Sequence, residues 1–143
     1  MLIGIPSVFS PDLLKVLMEM GHGDEIVLAD GNFPAASIAR KLVRSDGNNI
    51  PNLLDPMLQF FPIDNLVDRP VALMAVGPGE SYTPTIWEEY RQIIKRHVEN
   101  FSEFELVERA AFYERARQAF AVVATSEMAL FANVILRKGV VQG

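Results

Sequence analysis

The sequence predicts an α/β domain in which helices cover both faces of a mixed, mainly parallel sheet. Three observations carry this. Short apolar runs alternate repeatedly with longer segments of helical periodicity. Runs such as Ile26-Val27-Leu28-Ala29 are apolar throughout, the pattern of a strand buried on both faces. The length, 143 residues, suits one domain, residues 1–143, with a core that needs no staples.

The elements follow in order. Ser10-Pro11-Asp12 opens a helix: Ser10 caps, Pro11 suits the first helical position and Asp12 favours the dipole. Leu13, Leu14, Leu17 and Met20 form its apolar face, and Gly21 ends it. Residues 25–30 read as a buried strand. Asn32-Phe33-Pro34 is a turn, followed by a short helix over 34–41 and a short strand at Leu42-Val43-Arg44 that ends at Asp46-Gly47. A helix is expected over 50–61, with Asn49 or Pro51 near its start, and a strand over 70–76, closed by Gly77-Pro78-Gly79. Thr83-Pro84 starts a helix reaching to about Asn100, with Trp87 and Tyr90 three residues apart. Residues 104–107 are a strand, 108–119 a helix, 120–125 a strand and 133–137 a last strand. No full helix separates the last two strands, so an antiparallel strand at the sheet edge is expected.

Composition narrows the function. There is no cysteine, hence no disulfide framework, no thiolate nucleophile and no thiolate metal site. No basic segment leads into a long apolar core and no apolar run reaches about 18 residues, so neither a signal peptide nor a membrane span is expected, and cytoplasm is the expected compartment. Net charge is −5 without a basic cluster, which argues against nucleic-acid binding. Half of the residues are apolar, which points to subunit contacts or to a large core.

Several segments bear on chemistry. In Met20-Gly21-His22-Gly23-Asp24-Glu25 a histidine stands between two glycines on a helix-to-strand turn, with carboxylates nearby and Asp30 at the strand's far end. Histidine titrates near 6.5 in model peptides, which suits proton transfer at neutral pH. The alternative is a helix C-cap whose histidine favours the last carbonyls. His22, Asp24 and Asp30 offer only a weak metal site, since no H-x-x-x-H spacing occurs, and His97 reads as a solvated surface residue among Lys95, Arg96 and Glu99. Gly77-Pro78-Gly79-Glu80-Ser81 lacks the Gly-Lys-Ser/Thr ending of a phosphate loop and reads as a turn. Neither G-x-G-x-x-G nor G-x-S-x-G is present. On the helix over 108–119, Arg109 and Tyr113 share a face. Arg109 either pairs with Glu105 or Glu108 or donates its fork to a carboxylate or to sugar hydroxyls, and Tyr113 is either core or functional.

Together these segments resemble the RbsD/FucU family of L-fucose mutarotases and D-ribose pyranases, and the fucose branch in particular. The resemblance runs through Ser10-Pro11-Asp12-Leu13-Leu14-Lys15-Val16-Leu17, Met20 to Ile26, Ala29-Asp30 with Phe33-Pro34-Ala35, Arg44-Ser45-Asp46-Gly47, Ala111-Phe112-Tyr113-Glu114-Arg115-Ala116 and Leu136-Arg137-Lys138-Gly139. It implies a three-layer α/β/α sandwich of the RbsD type. It also implies an isomerase that interconverts anomers of a free monosaccharide, L-fucose or a related aldose, without cofactor or metal. Assembly is implied as a homo-oligomer, often a decamer of two stacked pentamer rings, with active sites at subunit boundaries. The family's acid/base histidine falls on His22. Its sugar-binding positions fall on Asp30, Arg109 and the stretch Phe131-Ala132-Asn133.

Two departures stand out. The fucose branch typically carries Tyr-Gly-Asn where this chain has Phe131-Ala132-Asn133, so the phenol implicated in proton transfer is missing. Where that branch has Ala-His after the aspartate, this chain has Gly31-Asn32. Two readings follow: an active mutarotase in which another hydroxyl or a water replaces the phenol, or a sugar-binding or regulatory member with little catalysis. A third, a binding protein of unrelated function, is carried by the composition alone.

Overall fold

A computed structural model describes residues 1–143 and places six strands in one sheet with helices on both faces. The elements are α1 (Pro11–Glu19), β1 (Glu25–Ala29), α2 (Ala35–Ile38), β2 (Leu42–Ser45), α3 (Ile50–Leu58), β3 (Val71–Met74), α4 (Thr85–His97), β4 (Glu105–Val107), α5 (Arg109–Gln118), β5 (Ala121–Thr125) and β6 (Val134–Arg137). The caps are those the sequence predicts. The Ser10 hydroxyl accepts from Leu13 N at 3.1 Å and the Asn49 side chain accepts from Asn52 N at 2.8 Å. Three helices end earlier than the sequence suggests. α2 stops at Ile38, where Ala39 turns extended while its N–H reaches the Ala35 carbonyl. α3 stops at Leu58 because Pro56 sits inside it and the chain then turns through Gln59, Phe60 and Phe61 ahead of Pro62. α4 stops at His97, where Val98 turns extended while its N–H still reaches the Ile94 carbonyl.

Alternation along the strands builds two cores. Ile26 and Leu28 of β1 face a 26-residue cluster with α1, α3 and α4, to which Leu17, Leu53, Tyr90 and Ile94 belong. Val27 and Ala29 face a 14-residue cluster with α2 and α5, centred on Phe33, Phe112 and Ala116. This is the expected three-layer sandwich.

The sheet order is β2-β5-β1-β6-β3-β4. β1 is parallel to β5, β5 to β2 and β3 to β4, while β6 runs antiparallel to both β1 and β3. The antiparallel strand is therefore central, a correction to the edge position expected from the sequence. The reason is its composition: Val134, Ile135 and Leu136 are fully buried, which an edge strand would not be. The eight residues 126–133 are too few for a parallel crossover, so the chain hops over the end of β1 and returns the other way. Glu127 pins this hop. Its carboxylate accepts from Ile50 N at 3.1 Å, at the start of α3, and from Ala129 N at 3.0 Å. No helix is long and apolar enough to cross a membrane.

Candidate active site

The carboxyl ends of β1, β3, β4 and β5 open on a common crevice, the usual ligand position in open α/β sheets. A pocket of about 240 Å³ lies there, lined by Asp30, Asn32, Phe33, Met74, Arg109, Tyr113, Leu130, Phe131 and Asn133. At about 30 Å³ per water it has room for roughly eight waters, the scale of one small polar ligand. A larger apolar cleft, about 360 Å³, lies against Met1, Leu2, Ile5 and Phe9, but no acidic, basic or guanidinium side chain lines it. The pocket beside Asp30 is the one that gathers the candidate residues Asp30, Arg109, Phe131 and Asn133.

Asp30 follows β1 directly and is 7 % exposed. Its Oδ1 accepts from Asn32 N at 3.0 Å. Burial raises its pKa above the ordinary carboxylate value, against the backbone N–H groups of Asn32, Phe33 and Ala132, which pull it down. A carboxylate short of water is a strong acceptor for hydroxyl groups. Asn133 opens β6, and its Oδ1 accepts from Asp30 N at 2.7 Å, which leaves its NH₂ as a donor for the pocket's occupant. Ala132, expected beside it, is fully buried and does not line the pocket. It acts through its backbone, on Asp30 and on Tyr90.

Phe131 has a φ of +55°, the only non-glycine residue with positive φ in the chain. Such backbone costs about 1–3 kcal/mol and persists only where its surroundings enforce it, commonly at functional sites. Here α4 enforces it. Trp87 Nε1 donates to the Phe131 carbonyl at 2.8 Å and the Tyr90 hydroxyl donates to the Ala132 carbonyl at 2.7 Å. The three-residue spacing of Trp87 and Tyr90 thus grips two consecutive carbonyls, a role the sequence did not disclose. Burial pushes the Tyr90 pKa up, helped by the nearby Glu127 and Asp30 charges, so the hydroxyl stays a donor. Tyr90→Phe is expected to orphan a buried carbonyl at a cost of about 1–2 kcal/mol. Calorimetry should then show Tm lowered by roughly 3–6 °C.

Arg109 begins α5 and makes no ion pair. Glu105 is taken by Arg115 at 2.8 Å, and the Glu108 side chain caps α5 by accepting from Ala110 N. The guanidinium instead lies 5.6 Å from the centre of the Tyr113 ring, which packs on Phe33 at 5.4 Å. Arg109 and Tyr113 therefore both line the pocket; Arg109 makes neither ion pair the sequence offered, and Tyr113 also packs against the core of the α2 and α5 face.

His22 is elsewhere. It lies before β1, whereas Asp30 lies after it, so the two are separated by roughly 20–25 Å along an extended strand. Its Nε2 is 3.3 Å from Asp64 Oδ1, and Arg137 Nε donates to Asp64 Oδ2 at 2.8 Å. The carboxylates expected near it are engaged otherwise: Asp24 accepts from Gly21 N at 2.8 Å and Glu25 pairs with Arg115 at 2.7 Å. The weak metal grouping of His22, Asp24 and Asp30 thus does not converge, and no three His, Asp or Glu side chains gather anywhere to hold a metal ion. His97, read from sequence as solvated, instead bonds Asp55 of α3 at 2.7 Å with its side chain 21 % exposed. The Gly77-Pro78-Gly79 segment forms the expected turn.

Both ends of the sheet expose apolar side chains. Leu66, Val140 and Val141 are exposed near the His22 end, and Tyr82, Met128 and Leu130 are exposed at or beside the pocket.

Residues 3–141 match the RbsD / FucU transport protein family. The chain is 53% identical to the fucose mutarotase of Streptococcus pneumoniae, solved in complex with L-fucose, with a TM-score of 0.94 covering 99% of this chain and 100% of that one. It is 49% identical to the human fucose mutarotase over 96% of this chain and 92% of that protein. It is 47% identical to the L-fucose mutarotase of Actinobacillus pleuropneumoniae serotype 5b over 98% and 97% respectively.

Proposed function

The chain belongs to the RbsD/FucU family, and from that premise we propose that it is an L-fucose mutarotase whose active site is completed by His22 of a neighbouring copy. The observation that carries this reading is the division of the chemistry: an acceptor and donors for hydroxyl groups at one end of the sheet, and the proton-transfer histidine at the other. Contact between opposite ends of identical chains is head-to-tail, and such contacts form rings where the rotation between copies closes. The apolar residues at both ends give that contact something to bury. A ring-built homo-oligomer, decameric as the resemblance implies, is the assembly proposed.

The chemistry needs only proton transfer. A base takes the proton of the anomeric hydroxyl, and that O–H pair becomes the second bond of the C1 aldehyde. The C1–O5 bond breaks, its pair goes to O5, and O5 takes a proton. Rotation about C1–C2 and the reverse steps give the other anomer, with nothing gained or lost. His22 serves as the base. Asp30 accepts from sugar hydroxyls, while Arg109 and Asn133 donate to sugar oxygens. Tyr113, the one phenol lining the pocket, takes the place of the hydroxyl missing at Phe131.

Saturation-transfer NMR on L-fucose tests the proposal. Exchange between the α and β anomers is expected to accelerate with protein. Binding with no acceleration overturns it in favour of a sugar-binding protein.

Asp30→Asn separates binding from stability. Losing a charged acceptor costs about 1.5–3 kcal/mol, so KM should rise by about tenfold or more. The folded state holds Asp30 with a raised pKa, so its contribution to stability falls as pH rises from about 3.9 through that raised value. The amide keeps the acceptor for Asn32 N–H and removes the buried charge. The variant is therefore expected to melt higher than the parent at pH 7 while binding L-fucose more weakly. Calorimetry and NMR titration check the two halves.

A further inference from the structure

The segment between β3 and α4 carries none of the proton-transfer or hydroxyl-binding groups, yet it lies at the pocket end of the sheet and touches the pocket's wall. We infer that residues 77–84 form a strap over the sugar pocket and that Tyr82 is a further sugar-binding residue, whose ring closes over the apolar face of bound L-fucose. This rests on the mutarotase reading above.

The strap is anchored at both ends and loose between them. On the β3 side Ala75 N donates to the Val107 carbonyl at 2.8 Å, and Met74, one residue earlier, lines the pocket. On the α4 side Pro84 is buried and its carbonyl accepts from Trp87 N at 3.2 Å. From Pro78 to Thr83 every residue is exposed, and the one hydrogen bond made there runs from Glu80 N to the Gly77 carbonyl at 3.2 Å. Gly79 turns the chain with a φ of +84°, and a Cβ there would meet nothing within 4 Å. Few buried contacts and few backbone bonds mark the low-stability end of a fold, from which active-site lids are drawn.

One side chain of this loose segment has a partner. Tyr82 is 48 % exposed, and its ring centre lies 6.2 Å from that of Phe131, with the planes at 45°. Phe131 is the residue with the strained backbone, and Trp87, just beyond the strap, holds its carbonyl. The strap and the start of α4 thus hold one pocket residue at its ring and at its backbone. The pocket divides its chemistry: Asp30, Arg109 and Asn133 offer polar groups, while Leu130 and Phe131 offer apolar surface. L-fucose has the matching division, between its hydroxyl groups and the face formed by the C3, C4 and C5 hydrogens. An aromatic ring buries such a face without demanding hydrogen bonds. Phe33 and Tyr113, the other rings lining the pocket, are packed on each other at 5.4 Å. Tyr82 is the ring beside the pocket that is carried on a segment able to move.

Tyr82→Ala and Tyr82→Phe are compared with the parent by NMR exchange of L-fucose anomers. The alanine variant is expected to raise KM about three- to tenfold with kcat unchanged, because the ring binds substrate and transition state alike. The phenylalanine variant keeps the ring and should stay within about twofold of the parent's KM. A merely structural role would lower Tm and leave KM alone. Light scattering is expected to give the parent's assembly for both variants. A smaller assembly for Tyr82→Ala makes Tyr82 a subunit contact and overturns the inference, as does a parental KM. Closure is read on the parent, which needs no variant to fold. A glutamate-specific protease is expected to cut after Glu80 in the free protein. Cutting should slow about tenfold at L-fucose ten times its Kd, because cleavage tracks the open population. No cut without sugar, or cutting that the sugar leaves unchanged, overturns the inference as well. If the parent does not accelerate exchange, the mutarotase reading fails and the inference with it. If the parent is active and Tyr82→Ala matches it, only the role of Tyr82 fails.

Discussion

Replacing His22 with alanine is expected to cut catalysed exchange of L-fucose anomers by about 10²–10⁴-fold, the usual worth of one positioned acid/base group. At 1.36 kcal/mol per factor of ten this is roughly 3–5 kcal/mol of barrier. The fold should survive. The histidine is part-exposed between two glycines, and its one side-chain bond is the 3.3 Å contact to Asp64. Asp64 keeps Arg137 and Leu66 N when the ring is gone, so no buried charge is orphaned. Circular dichroism should match the parent, and the sugar should still bind through Asp30, Arg109 and Asn133. An exchange rate equal to the parent's would remove His22 from the mechanism.

The second large effect is expected at Tyr113. Phe131 cannot supply a proton, and Tyr113 is the phenol that shares its pocket. Tyr113→Phe is expected to lower exchange by up to about 10²-fold, with little change in stability because the ring stays packed on Phe33. Moving the hydroxyl supplies the control. The Phe131 ring already lines the pocket, and its backbone is held by Trp87, so Phe131→Tyr adds one oxygen at low packing cost. In the Tyr113→Phe background that change is expected to restore much of the lost rate. Equal rates for the parent and Tyr113→Phe would assign the second proton to water.

Local signals made much of this legible. The Ser10 and Asn49 caps, the apolar strand runs and the Gly21 stop are short-range chemistry, and each lies where the sequence places it. What escaped depends on partners far along the chain. Asp64 meets His22 across 42 positions and Arg137 across 73, and nothing near Asp64 announces either contact. Arg109 is available to a ligand because Arg115 claims Glu105, a choice among neighbours that periodicity does not make. The Trp87 and Tyr90 spacing was visible, but the carbonyls it grips were not. The central position of β6 was written in its wholly apolar residues, yet the short connection before it suggested an edge. The candidate site was legible only through resemblance to the RbsD/FucU family; that Asp30, Arg109, Phe131 and Asn133 share one pocket while His22 lies at the other end of the sheet was not visible from residue order.

That division is the central claim, and mixing two impaired variants tests it most directly. His22→Ala and Asp30→Asn subunits are co-assembled in equal amounts, and exchange is compared with each variant alone at L-fucose well below the parent's KM, where a tenfold rise in KM leaves Asp30→Asn about a tenth of the parent's rate. If the histidine and the sugar pocket come from different copies, random mixing makes about a quarter of the sites wholly native, and activity should recover to roughly that fraction of the parent's. Activity no greater than the mean of the two separate variants would mean that each site is built within one chain, and would contradict the account.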